Sequence, residues 1–114
     1  MQARLQTVVE TPAYLAAARR VLSQDEQDGV ASVVAENPTA GVAIGGGVRK
    51  MRFARSGGGK RGGVRVIFLF SGVDIPVFLL ALFAKNEKVS LSPRERSALI
   101  TAAKRIAEDY RRRK

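Results

Sequence analysis

Apolar residues recur along the chain with different periods, and each period predicts a kind of element. Tyr14, Leu15, Ala18, Val21 and Leu22 stand at helical spacing behind Thr11-Pro12. Thr11 suits the N-cap, and Pro12 suits the first helical position, where a missing N–H costs nothing. Between Val48 and Arg55 the period changes to two: Arg49, Met51, Phe53 and Arg55 fall on one side of a strand and Lys50 and Arg52 on the other. Met51 and Phe53 mark the core side, which leaves Lys50 and Arg52 facing solvent. Val64–Phe70, apolar apart from Arg65, and Ile75–Ala84 have no polar side at all. Runs of that kind are expected in strands covered on both faces.

Ser23, followed three residues later by Glu26, reads as a capping box that opens a second helix with Val30, Val33 and Val34 as its stripe, ended by Asn37-Pro38. Ser92-Pro93-Arg94-Glu95 repeats the signal ahead of a last helix carrying Leu99, Ile100, Ala103, Ile106, Ala107 and Tyr110. Leu5–Glu10 reads as a short first strand. Thr39–Gly47, "TAGVAIGGG", is too rich in glycine for a helix interior and is expected to be a loop. Ser56–Gly63 is expected to be a cationic hairpin loop and Ser71–Asp74 a turn, so the last three strands form a meander. The sum is an α+β domain spanning 1–114: two N-terminal helices and a C-terminal helix packed on a curved, mainly antiparallel sheet of about four strands.

A chain of 114 residues is long enough to bury one core without disulfides. Cysteine and histidine are both absent, which excludes disulfide staples, thiol nucleophiles, imidazole acid–base chemistry and the usual zinc sites. Any catalysis must draw on Lys, Arg, Ser, Tyr, Asp or Glu, and neither a metal nor a cofactor is implied. The N-terminus lacks the pattern of a secretory signal. The longest apolar run is about half of the ~20 residues a helix needs to cross a bilayer, so no membrane contact and a cytoplasmic location are expected.

Charge changes the picture more than size does. The net charge of +10 is unevenly placed: three bases and five acids lie in residues 1–47, seven bases and no acid in 48–66, two of each in 67–91, and eight bases with three acids in 92–114. Such asymmetry points to a polyanion, nucleic acid first, with an acidic protein or an anionic membrane surface as alternatives. Arg65 is the most informative residue, because a charge within an apolar strand must open into a groove or find anionic partners. No acid lies between residues 37 and 73 to serve it locally. Lys50, Arg52 and Arg65, with Lys85 at the end of the following strand, can converge on one surface of a meander. The segment "GGGKRGG" lacks P-loop spacing, yet its Lys60 and Arg61 add phosphate contacts that strengthen binding without selecting sequence.

The pattern "VRKMRFAR…GKRGGVRVIFLF…VFLLALFAKNEKVSLSPRERSAL" resembles the RelE/ParE superfamily of toxins from bacterial type II toxin–antitoxin systems, and the RelE/HigB family within it, especially the HigB-like branch. The Gly-Val-Arg that opens a strand, the Ala-Lys-Asn-Glu-Lys after the last long strand and the helix that follows carry the resemblance together. It implies a RelE-like fold and a metal-independent, ribosome-dependent mRNA endonuclease, an mRNA interferase that inhibits translation. It also implies a message in the ribosomal decoding site as substrate and a cognate antitoxin, a helix-turn-helix protein, as partner. By motif, Arg65 and Lys85 match the family's basic residues and Lys50 and Arg52 its basic strand, giving Arg65, Lys85, Lys50 and Arg52 as catalytic candidates. Arg49, Arg55, Lys60 and Arg61 are the RNA-binding candidates. Arg65 is expected to stabilise charge on the phosphorane, a role that suits arginine's planar fork. The chain departs from some relatives in carrying Asn86 where they have a second arginine, and no residue matches their catalytic tyrosine; Tyr110 reads as core. A ParE-like gyrase inhibitor and a basic RNA-binding module without chemistry are the competing readings.

Overall fold

The structure is a computed structural model that describes residues 5–55, 63–85 and 90–113. Five strands and three helices follow one another as β1 (Val8–Glu10), α1 (Pro12–Val21), α2 (Gln24–Glu36), β2 (Val42–Gly45), β3 (Val48–Phe53), β4 (Val64–Leu69), β5 (Val77–Ala84) and α3 (Pro93–Arg112). The strands form one open mixed sheet in the order β1-β5-β4-β3-β2. β1 runs parallel to β5, and the other pairs are antiparallel. The expected α+β class and the β3–β4–β5 meander are present. The strand count differs because 39–47 is not all loop: Val42–Gly45 pairs with β3 as an edge strand.

Glycine, which argued against an element there, is what makes the hairpin possible. Gly46 and Gly47 join β2 to β3 with φ of 59° and 83°, and positive φ at both central residues is what the tight hairpin turn matched to strand twist requires. At Gly41 a Cβ would lie 2.1 Å from the Lys50 carbonyl oxygen, so only glycine lets the chain come that close to β3.

The helices divide between the two faces of the sheet. On one face α1 and α2 bury Tyr14, Ala18, Leu22, Val30 and Val34 against Met51, Val64, Val66, Phe68, Val77, Leu79 and Leu82. On the other, Ala103 and Ala107 of α3 pack with Val48, Ile67, Leu69, Ile75, Phe78, Leu80 and Phe83. β4 therefore has core on both sides, as its uninterrupted apolar run predicts. Capping follows the sequence signals: Ser23–Glu26 and Ser92–Glu95 form complete capping boxes. The Thr11 hydroxyl accepts from the Tyr14 N–H at 3.3 Å while donating to the Leu79 carbonyl at 2.7 Å, so the cap of α1 also ties it to β5.

The course of α3 decides which part of its face stays open. Ile100 lies against Gly45 and Gly46. Eleven residues on, Arg111 reaches the β4–β5 turn through Asp74 and Ser71. The helix thus covers the end of the sheet that carries the β2–β3 and β4–β5 turns. At the opposite end, where β3 stops at Phe53 and β5 at Ala84, Arg52 and Lys85 are exposed while Phe83 is buried in the α3-side core.

Candidate nucleic-acid interface

Strand register brings the basic residues together at that end. Arg52 is paired directly with Arg65, and Arg65 with Phe83 on the other flank. Lys50 pairs with Ile67, two positions along β3 on the same face. Directly opposite residues in antiparallel strands have Cβ atoms about 5 Å apart, and like charges placed so are destabilising. A repulsive pair between neighbouring strands has no structural rationale of its own.

Arg65 is half-buried, and its Nη1 is buried without a hydrogen-bond partner among the described residues. A guanidinium carries five donors in a rigid fork. Leaving one unsatisfied inside a protein costs on the order of 1–3 kcal/mol or more for a charged group. Arg52, in contrast, is exposed. The local arrangement is therefore a cationic floor with an unfilled donor, set between an aromatic ring and a second guanidinium: a geometry suited to an oxyanion with several acceptor oxygens.

Lys85 reaches the same face through an irregularity. The β4–β5 register shifts between Ile67 and Phe68, which pair with Ala81 and Leu79 and leave Leu80 as an extra residue. Side chains alternate strictly along a regular strand, so without that bulge Phe83 and Lys85 would share the α1/α2 face with Val77 and Leu79. With it, Phe83 joins the core on the α3 face. The Lys85 N–H donates to the Gly63 carbonyl at 3.2 Å, extending the ladder one step past the Val64–Ala84 pair. Lys85, exposed and one step past Ala84, follows Phe83 at the interval at which strand residues share a face, at the same end of the sheet as Arg65. The apolar run Val77–Ala84 gives no hint of this: every residue in it is hydrophobic, so the pattern is silent about which side each faces.

Other expected contacts separate from this group. Arg49 lies on the opposite face, where its Nε donates to the Ala40 carbonyl at 3.1 Å and its Nη2 to the carbonyls of Thr39 at 2.7 Å and Gly41 at 3.2 Å. Its fork clamps the segment leading into β2. Arg55 lines a shallow groove with Asp25, Glu26, Phe53 and Ala54, on the α2 side. Lys60 and Arg61 lie outside the described residues, as does Asn86. Tyr110 is half-buried against Phe78, edge to face at 6.0 Å between ring centroids and 72° between planes, in keeping with a packing role.

Among the described residues no helix is long and apolar enough to cross a membrane. The sequence pattern of this α+β fold, with its open cationic sheet face, also has a counterpart among known families. The family model described as RelE toxin of RelE / RelB toxin-antitoxin system matches residues 8–113. The match takes in every strand and helix and all four clustered cations, and the chain belongs to the RelE toxin family.

Proposed function

We propose that this toxin is a ribosome-dependent mRNA endonuclease that needs no metal, and that Lys50, Arg52, Arg65 and Lys85 form its active surface. What supports the reading most directly is the Arg52–Arg65 pair, with the buried Nη1 of Arg65 lacking a partner. The step it fits is in-line attack by a ribose 2′-oxygen on the adjacent phosphorus. The O2′–P bond forms as the P–O5′ bond breaks, leaving a 2′,3′-cyclic phosphate and a free 5′-hydroxyl. The 2′-hydroxyl proton is taken up by the surface and one is returned to the departing O5′. Arginine is not deprotonated in proteins, so proton transfer falls to Lys50 or Lys85. Arg65 and Arg52 hold the non-bridging oxygens and stabilise the charge that grows on them.

The ribosome supplies the message in a fixed conformation, the positioning that in-line attack needs. The chain also has a cognate antitoxin, which we assign to the helix-turn-helix class. Acidic or apolar segments of that partner cover part of the toxin surface.

Primer extension on messages from cells expressing the chain tests the reading. Cuts within translated codons are expected, and Arg65→Ala should lower cleavage by roughly 10²–10³-fold, the usual cost of losing one transition-state donor, with circular dichroism unchanged. A fully active Arg65→Ala removes this residue from the mechanism. DNA damage from trapped gyrase, without cut messages, would replace the reading with a ParE-like one.

A further inference from the structure

The second basic region of the chain, 92–114, is left unused by the cleavage site. Of the α3 cations, Arg111 is held by Asp74, with its Nε 2.8 Å from Oδ2, and Arg112 is paired with Asp109. Arg94, Arg96, Lys104 and Arg105 are exposed and make no ion pair among the described residues. Helical spacing sorts these four. Ile100, Ala103 and Ala107 define the stripe against the sheet, and Arg96 lies on that stripe, one turn before Ile100. Arg94 and Arg105 point directly away from it, eleven residues and about 16 Å of helix apart, with Lys104 at their flank. Between them lies a recess lined by Ser97, Ala98, Thr101, Ala102, Arg105 and Ile106. On this outward side of α3, Asp109 is held by Arg112, and Glu108 makes no ion pair among the described residues.

We propose that the outward face of α3 is a second RNA-binding surface, on which Arg94, Lys104 and Arg105 take the phosphates of a structured RNA while Ser97 and Thr101 offer hydroxyls. This rests on the proposed endonuclease reading only for its biological setting. The surface itself follows from charge and placement. α3 packs on the sheet face that bears Lys50, Arg52 and Arg65, so its outward side and the cleavage surface open in the same direction. One polyanion can therefore meet both.

A protein partner is the weaker match for this face. The cores of protein–protein interfaces are anchored by aromatic and other large apolar side chains. The exposed large hydrophobics of the described residues are Leu5, Val33, Val42 and Val73, and none is on α3. Apart from the half-buried Ile106 at the edge of the recess, the face is cationic and hydroxyl-bearing, which is the character of a phosphate-contacting surface.

The test is fluorescence anisotropy of a labelled 20-base-pair RNA duplex, which offers phosphates but no ribosomal decoding context, titrated with the whole chain across a series of salt concentrations. Lys104→Ala/Arg105→Ala should weaken binding on the order of fifty-fold at 0.1 M salt and flatten the log–log salt slope by roughly 1.8, since each duplex phosphate contact contributes about 0.9. Glu108→Gln should tighten binding. Both variants change exposed positions, and unchanged melting curves establish that they fold. Unaltered affinity and slope in the folded double variant would overturn the proposal. So would a loss confined to antitoxin binding, which would make α3 a protein-docking face. Failure of the cleavage reading appears separately, as active Arg65→Ala or uncut messages, and leaves the duplex titration interpretable.

Discussion

Tyr14 is the largest fully buried side chain, and its hydroxyl makes no hydrogen bond among the described residues. Burial foremost, with the nearby Glu10 carboxylate adding to it, pushes its ionisation up to about 12. The sign of the consequence follows from proton binding. The unfolded chain loses the phenolic proton near pH 10 while the folded chain keeps it, so stability is intact below pH 10 and falls as pH rises through 12. The amount is about 2–3 kcal/mol. Tyr14→Phe removes the ionisable group together with an unsatisfied oxygen whose burial costs on the order of 1–3 kcal/mol. The variant should be at least as stable as the parent near neutrality and should lose less stability between pH 10 and 12. Urea midpoints measured across that range check both. A Tyr14→Phe variant that is less stable at pH 7 would mean that the hydroxyl has a partner after all.

At the scale of elements, the β2–β3 hairpin joins the core to the candidate site. Lys50 lies on β3 opposite Val42, and β2 is held by a glycine-dependent close approach and by the Arg49 fork. Gly41→Ala would set a Cβ against the Lys50 carbonyl oxygen at a residue whose φ is +76°. It should cost about 2 kcal/mol or more and reduce amide protection across 42–45 in hydrogen exchange. The same hairpin shows where sequence reasoning reached its limit. Alternation placed Lys50 and Arg52 opposite Met51 and Phe53 correctly, because one-sided burial enforces a period of two. It could not find β2, since an edge strand of four residues bounded by glycines has too little pattern to separate it from a loop. Nor could it assign Arg49, whose acceptors are backbone carbonyls that carry no mark in the sequence. Arg65 was legible because an apolar run made its charge conspicuous. The Leu80 bulge that turns Lys85 onto the same face was hidden by the uniform hydrophobicity of β5.

For the whole molecule, the arrangement of charge sets the recognition surface against stability. A net charge of +10 favours the unfolded chain through self-repulsion, and the Arg52–Arg65 pair concentrates part of that repulsion between adjacent strands. Opposed like charges on a sheet cost a fraction of a kcal/mol up to about 1, and the unpartnered Nη1 of Arg65 adds to it. Arg65→Met keeps the length and packing of the side chain while removing the charge, so it should raise the melting temperature at low salt even as it weakens the proposed cleavage. Anions restore the balance by a different route, because a ligand that binds only the native state stabilises it in proportion to its saturation. Millimolar pyrophosphate at fixed ionic strength should therefore raise the melting temperature of the parent chain. The rise should be smaller in Arg65→Met and nearly absent in Arg52→Ala/Arg65→Met, whereas sodium chloride, which only screens, should narrow the difference between parent and variants without favouring any particular site. Equal responses to pyrophosphate in all three proteins would show that the cluster does not act as an anion site, and the cost of opposing two arginines would then lack the functional counterpart assigned to it.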